Sequence, residues 1–135
     1  MSPDHQPVTV ATLEAFAEAW NRHDLEALMS FMTDDCVFCT AGGDSKFGTR
    51  VEGADAVRER FADVWTSMPD ARWDDASHFV SGSRGLSEWT FSGTRPGGER
   101  VEVRGCDVFT FRDGRIAVKD TYLKARTAAP EQNGA

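Results

Sequence analysis

The stretch "GCDVFTFRDGRIAVKD", residues 105–120, carries the clearest structural signal in the chain. Asp113-Gly114 sits between two alternating apolar runs, the pattern of a two-residue type I′ hairpin. Such a turn pairs Arg112 with Arg115. Continuing outward, Phe111 faces Ile116, Phe109 faces Val118 and Asp107 faces Asp120. Alternation places all six on one face of a sheet. Four of the six are apolar, so that face is expected to be internal. Two carboxylates then lie opposite each other, with Cβ atoms roughly 4.5–5.5 Å apart. Acids that close in an apolar setting cannot both ionise cheaply, and one pKa is expected to rise. Tyr122, the only tyrosine, shares the parity of Asp120.

Working upstream, "RPGGE" provides a glycine-rich turn that sets Arg95 against Glu99. Phe91 then meets Val103, Trp89 covers Gly105, and Ser87 meets Asp107. Taking Gly82-Ser83 as a further two-residue turn sets His78 against Ser87. The strands 70–81, 84–95, 99–112 and 115–126 thus form an antiparallel meander. Its inner face carries a polar row, His78–Ser87–Asp107–Asp120, which a bulge at Gly105 would disturb.

The region before Pro69 reads as helical. Leu13, Phe16, Ala17 and Trp20 recur at i, i+3, i+4 and i+7, which predicts an amphipathic helix from Val8 to Arg22. "NRHD" interrupts it, so His23 and Asp24 are expected to serve the interhelix break, with Asp24 as a cap. The next helix carries Leu25, Leu28, Met29 and Met32. "CVFCTA" predicts the first strand, residues 42–53 a loop with a short strand, and 54–68 a third helix using Val57, Phe61, Val64 and Trp65. Three helices followed by a long-stranded sheet make an α+β fold, with helices packed on one face of a curved sheet.

A chain of 135 residues suits one domain, expected over 8–126 with flexible tails at 1–7 and 127–135. The net charge of −7 repels phosphate backbones and argues against nucleic acid as a partner. No apolar run approaches the ~18 residues of a membrane span, and the N-terminus lacks a secretory signal, so a cytoplasmic location is expected. Cys36 and Cys39 form a C-x-x-C on a strand, which directs them to opposite faces, and they read as ordinary semi-buried thiols. Ser81 and Ser83 make no G-x-S-x-G elbow, and "GGDSKFG" lacks the spacing of a phosphate loop.

"FAEAWNRHDLEALMSFMTDDCVF", "GADAVRERF" and "VRGCDVFTFRDGRI" resemble the SnoaL-like branch of the nuclear transport factor two-like superfamily, the cystatin-like α+β cone. The resemblance spans residues 10–125. It implies an apolar pocket between helices and curved sheet, and a homodimer formed through the sheet. Relatives include ketosteroid isomerases, polyketide cyclases, epoxide hydrolases, dehydratases and non-catalytic carriers. Asp107, in "DVFTF", matches the oxyanion-hole acid of the isomerases, a carboxylic acid that an apolar site keeps protonated. Thr40 stands near their general base, and Phe16 stands where they carry an oxyanion tyrosine. The cyclases use one late-strand aspartate as base, a role open to Asp107 or Asp120. The epoxide hydrolases need an arginine between two aspartates, and Arg104 falls on the wrong parity.

These readings predict a cofactor-independent enzyme, without metal or nucleotide, acting by acid–base chemistry on a hydrophobic, carbonyl-bearing or polycyclic molecule. Asp107 is the expected principal residue and Asp120 tunes it. His78 and Tyr122 assist, and Phe16, Trp20, Trp65, Trp89 and Phe109 bind substrate. A non-catalytic hydrophobic-ligand carrier and a dimerising structural module are the alternatives.

Overall fold

The computed structural model describes residues 6–126. Helices α1 (Val10–Arg22) and α2 (Leu25–Ser30) come first, then strands β1 (Met32–Cys39) and β2 (Arg50–Glu52). Helix α3 (Ala54–Ser67) and strands β3 (Arg72–Ser81), β4 (Arg84–Thr94), β5 (Arg100–Arg112) and β6 (Arg115–Leu123) follow. The six strands form one sheet in the order β2-β1-β6-β5-β4-β3. All neighbours are antiparallel except β1 and β6, which run parallel. The α+β arrangement and the four-strand meander match the sequence reading. The tails expected at 1–7 and 127–135 lie largely outside the described residues. Gln6 is the exception on which a contact is seen: its carbonyl oxygen lies 2.3 Å from where a Cβ on Gly114 would be.

Local chemistry explains the element ends. Thr9 and Thr12 cap α1 reciprocally. His23 ends it in the left-handed region at φ 57°, and the Asp24 carboxylate accepts from the Ala27 N–H to start α2. Asp113 and Gly114 both have positive φ, as a type I′ turn requires. The buried face of α1, Leu13, Phe16 and Trp20, joins Leu28, Val57 and Phe61 over Phe38, Phe109, Phe111 and Ile116 of the sheet. Several aromatic pairs of this layer meet edge to face, as in Phe16–Phe109 at 6.0 Å and Trp20–Phe61 at 4.8 Å.

The register of β4 on β5 agrees with the turn arithmetic along its length, including Trp89–Gly105 and Ser87–Asp107, and His78 pairs with Ser87. The last hairpin departs from it. Arg112–Arg115 and Phe111–Ile116 pair as expected, but Thr110 then pairs with Val118. Ala117 is an extra residue on β6, a β-bulge, and it reverses the parity of everything after it. Phe109 therefore meets Lys119, Asp107 meets Thr121, and Asp120 meets Val108. The expected Asp107–Asp120 pair does not form, and no like-charge repulsion exists there to divide a proton. The bulge sits at Ala117, while Gly105 stays in regular register.

Gly105 is held to glycine by close approach. An added Cβ would lie 2.6 Å from the Trp89 ring, from Leu123 Cδ2 and from the Tyr122 carbonyl oxygen. A backbone oxygen cannot swing aside, so Gly105→Ala is expected to lower stability by ~1–3 kcal/mol. Gly97→Ala, where nothing lies within 4 Å, should stay within about 0.5 kcal/mol of the wild type. Urea unfolding checks both: the Gly105 variant's midpoint should fall at an unchanged slope, and equal midpoints for the two variants would refute the close-approach account.

Candidate functional site

The bulge turns Lys119 inward. Its side chain is only 7% exposed, as is that of Asp107, and the Lys119 Nζ lies 3.0 Å from Asp107 Oδ1. The ammonium also donates to Thr121 Oγ1 at 2.9 Å. Thr121 in turn donates to Asp107 Oδ1 at 2.6 Å, and the Trp89 indole N–H donates to Asp107 Oδ2 at 3.2 Å. Both carboxylate oxygens are thus occupied. Around the cation, the rings of Phe38, Trp20 and Phe61 stand 4.6, 5.3 and 5.6 Å from Nζ, within cation–π range. A buried ion pair is costly unless further hydrogen bonds offset the loss of water, and here Thr121 and Trp89 supply them to the carboxylate. Lys119 has three N–H donors; Asp107 and Thr121 take two, and the third is available.

That third donor lies at the floor of a cavity of about 260 Å³ between α3 and the sheet. Trp20 of α1, Phe38 of β1, and Trp73, Trp89 and Phe91 of β3 and β4 form its aromatic walls. Helix α3 contributes Arg60, Val64 and, just past its end, Met68, spaced four residues apart on one side of the helix. Lys119, Thr121 and Leu123 of β6 complete it, with Thr40 and Ala41 beyond the end of β1. The Thr40 hydroxyl is engaged by its own loop, donating to the Gly42 carbonyl and accepting from the Thr49 N–H. The lining contains two cations and no carboxylate. A cavity this size lies just under the ~300–1,000 Å³ of drug-sized sites and suits a one- or two-ring molecule.

The residues singled out from the sequence separate into three groups. Asp107 is buried beneath the floor, and Trp20 and Trp89 wall the cavity. Phe16, Phe109 and Trp65 do not line it. Phe16 and Phe109 meet each other inside the core, and Trp65 stacks on His23 at 5.0 Å, bracing the turn between α1 and α2. Asp120 and Tyr122 point away, to the opposite face of the sheet. There the Tyr122 hydroxyl donates to Asp120 Oδ2 at 3.2 Å, Tyr122 is 55% exposed, and the adjacent Asp120 charge raises its pKa. Reversed parity after Ala117 accounts for both displacements.

His78 keeps its place in the row, with Nδ1 2.7 Å from Ser87 Oγ, but it does not line the cavity. Burial lowers its pKa, opposed in part by Glu14. Arg104 lies on the other parity, as expected, and donates to Thr90 Oγ1. Burial raises the pKa of the Cys36 and Cys39 thiols. Among the described residues no three His, Cys, Asp or Glu side chains converge to hold a metal.

Sequence reasoning missed Lys119, Thr121 and Arg60. One signal for the first two is present: Ile116-Ala117-Val118 is three apolar residues in a row, which breaks strict alternation and marks a bulge.

Two predictions follow from this geometry. Asp107→Asn or Lys119→Met alone leaves an unpaired buried charge and should cost ~3–5 kcal/mol, whereas the double variant should recover much of the loss. A double-mutant cycle in urea measures the coupling, and additive losses would show that the two groups do not act as a pair. The second concerns His78, whose folded pKa lies below the ordinary ~6.5. Above pH 6.5 neither state is protonated at this ring. As pH falls from 6.5 through the lowered folded value, the unfolded chain takes up the proton first and stability is lost. The melting temperature of His78→Gln should therefore fall less than the wild type's over that window; parallel curves would contradict the burial of a neutral ring.

Comparison with known proteins places this geometry in context. The family model described as SnoaL-like domain matches residues 13–119. No curated protein sequence matches the chain. Among solved structures, a "putative polyketide cyclase" of Xanthomonas campestris pv. campestris is 23% identical, with 85% of this chain and 89% of that one covered at TM-score 0.73. A protein of unknown function with a cystatin-like fold, also from Xanthomonas campestris, superposes at TM-score 0.77 with 18% identity over 87% and 92% of the two chains. An NTF2-like protein of unknown function from Mesorhizobium loti is 26% identical at TM-score 0.71, covering 86% and 90%. The helices, the curved sheet and the match over most of the sequence agree, and the chain belongs to the SnoaL-like domain family.

Proposed function

We propose that this protein is a small-molecule enzyme of the isomerase or cyclase kind, and that it binds a one- or two-ring carbonyl compound by holding an enolate oxygen on Lys119. The observation that carries the reading is the buried ammonium with one free N–H at the floor of an aromatic-walled cavity. A positively charged donor in a site of low dielectric stabilises an oxygen that gains negative charge as a C–H bond breaks. Asp107 does not serve as a free base, because Thr121, Lys119 and Trp89 occupy its oxygens. It is a positioning residue: it keeps Lys119 in place and charged.

With no carboxylate in the lining, the substrate best served supplies its own acidic carbon. The C–H proton passes to water, and its electron pair moves to the carbonyl oxygen on Lys119. Where a neighbouring double bond extends the enolate to a dienolate, it takes a proton back from water at the γ-carbon, which is isomerisation; alternatively its α-carbon attacks a second carbonyl, whose π electrons move to oxygen and take up the proton from water, which is ring closure. The aromatic walls hold the rings flat. The occupied state of Asp107 equally favours a second reading, in which the pocket holds a phenol or enol without turnover.

Deuterium exchange at C1 of 2-tetralone, followed by NMR, tests the enzyme reading. The wild type should accelerate exchange, and Lys119→Met should lose ~10²–10³-fold of that acceleration. 2-Naphthol, the planar analogue of the enol, should bind more tightly than 2-tetralone and quench Trp20 and Trp89. Tight 2-naphthol binding without any exchange would favour the carrier. Binding that is indifferent to Lys119→Met would refute both readings.

A further inference from the structure

The cavity is cationic at both ends, in a protein whose net charge is −7. Lys119 is neutralised by Asp107 at the floor. Arg60 stands at the opposite, solvent-facing end, on α3, and is exposed. Its neighbour on the helix, Arg58, is engaged by Glu26. Arg60 is in no ion pair or hydrogen bond among the described residues. Most arginines in the chain do have such partners: Arg50 pairs with Glu52, Arg72 with Asp74, Arg95 with Glu99, Arg100 with Asp70 and Arg112 with Asp35. Water hydrates an exposed guanidinium, but one left unpaired at the rim of an aromatic-walled cavity in so acidic a chain is available to an anionic ligand.

Several other polar groups of the wall are already engaged. Thr40 is closed on its own loop, Thr121 links Lys119 to Asp107, and the Trp89 N–H is taken by Asp107. The Trp20 indole N–H, buried without a partner, is a neutral donor that a ligand oxygen can also meet, but the groups that can carry an anion are two, the free N–H of Lys119 and the guanidinium of Arg60. They differ in kind. The ammonium is a compact point charge suited to one oxygen, and the guanidinium is a planar fork suited to the two oxygens of a carboxylate. The positions differ as well, one dry and one wet. A carboxylate at the rim keeps part of its hydration, while the weaker acid, the enolate or phenolate, enters the apolar floor.

We infer that the ligand of this pocket is an acid: a ring compound with an enolisable carbonyl or phenol at one end, held by Lys119, and a carboxylate at the far end, held bidentately by Arg60. The floor half of this inference rests on the reading of Lys119 given above, and the rim half does not. Arg60 orients the molecule, so that the carbonyl end and not the carboxylate reaches the floor. In an acidic protein it also offsets the repulsion that an anionic ligand meets on approach.

Tryptophan-fluorescence titrations with 2-naphthol, 6-hydroxy-2-naphthoate and 2-naphthoate, on the full chain, test this. The hydroxynaphthoate carries its two oxygen functions on opposite rings. It should bind the wild type about tenfold more tightly than 2-naphthol. In Arg60→Gln the ratio of the two affinities should fall to about one, and in Arg60→Lys only part of the gain should return. Raising sodium chloride should narrow the ratio in the wild type. Equal affinities in the wild type, or a gain that survives Arg60→Gln, would overturn the inference. 2-Naphthoate separates the two halves. If its binding depends on Arg60 while 2-naphthol binding ignores Lys119→Met, the rim site stands and the enolate reading of the floor fails. Circular dichroism of Arg60→Gln should match the wild type, since the residue is exposed and unpaired.

Discussion

The ion pair between Asp107 and Lys119 is the constraint around which the rest is arranged. Two charges removed from water are costly unless further hydrogen bonds and polarisable neighbours offset the loss. That requirement accounts for the Trp89 indole on one carboxylate oxygen and the Thr121 hydroxyl on the other. It accounts also for the aromatic collar, since the faces of Phe38, Trp20 and Phe61 offer the cation some of what water would. Those three rings come from β1, α1 and α3, so the pair ties both helical layers to the sheet. Trp89 in turn lies where Gly105 leaves space for it. A chain of packing thus runs from a missing side chain on β5 to the charge at the cavity floor.

The parts of the fold set by local chemistry were legible from residues alone. Asp113-Gly114, Gly82-Ser83 and Pro96-Gly97-Gly98 are turns with a definite geometry, and they set three of the registers at their turn ends. The rungs His78–Ser87 and Ser87–Asp107 followed from counting. The Asp107–Asp120 rung did not, because counting assumes strict alternation and one inserted residue reverses it. The inserted residue is an alanine, small enough to be buried on either face, so only the apolar run Ile116-Ala117-Val118 marks the insertion. Burial of Lys119 was invisible for a related reason. A lysine is ordinarily a surface residue, and only the simultaneous burial of its partner makes the interior tolerable. The parallel pairing of β1 with β6 is also non-local and leaves no turn to read.

Moving the charge at the floor from a pair of acids to an acid and a base changes the chemistry that the cavity offers. Two carboxylates sharing a proton would make a proton-transfer site for neutral substrates. A lysine paired with that acid instead sets a hydrogen-bond donor at the floor, and the proposed function is built on that donor. Family membership does not choose between these, because the SnoaL-like fold is a container whose activity lies in its lining. The choice rests on whether Ala117 is present in the strand.

The parallel joint between β1 and β6 bears on how the chain reaches this state. Strands β3 to β6 are joined by short turns, so each pairing closes a loop of only a few residues. The β1–β6 pairing, such as Met32 with Ile116, brings together residues far apart in the chain. Loop-closure entropy therefore favours the meander as the earlier structure and β1 as a late arrival. Phe38 is on β1, and until it docks, the ammonium of Lys119 lacks one wall of its collar. The desolvation of that charge, and with it the closing of the cavity, belongs to the last step of folding rather than the first.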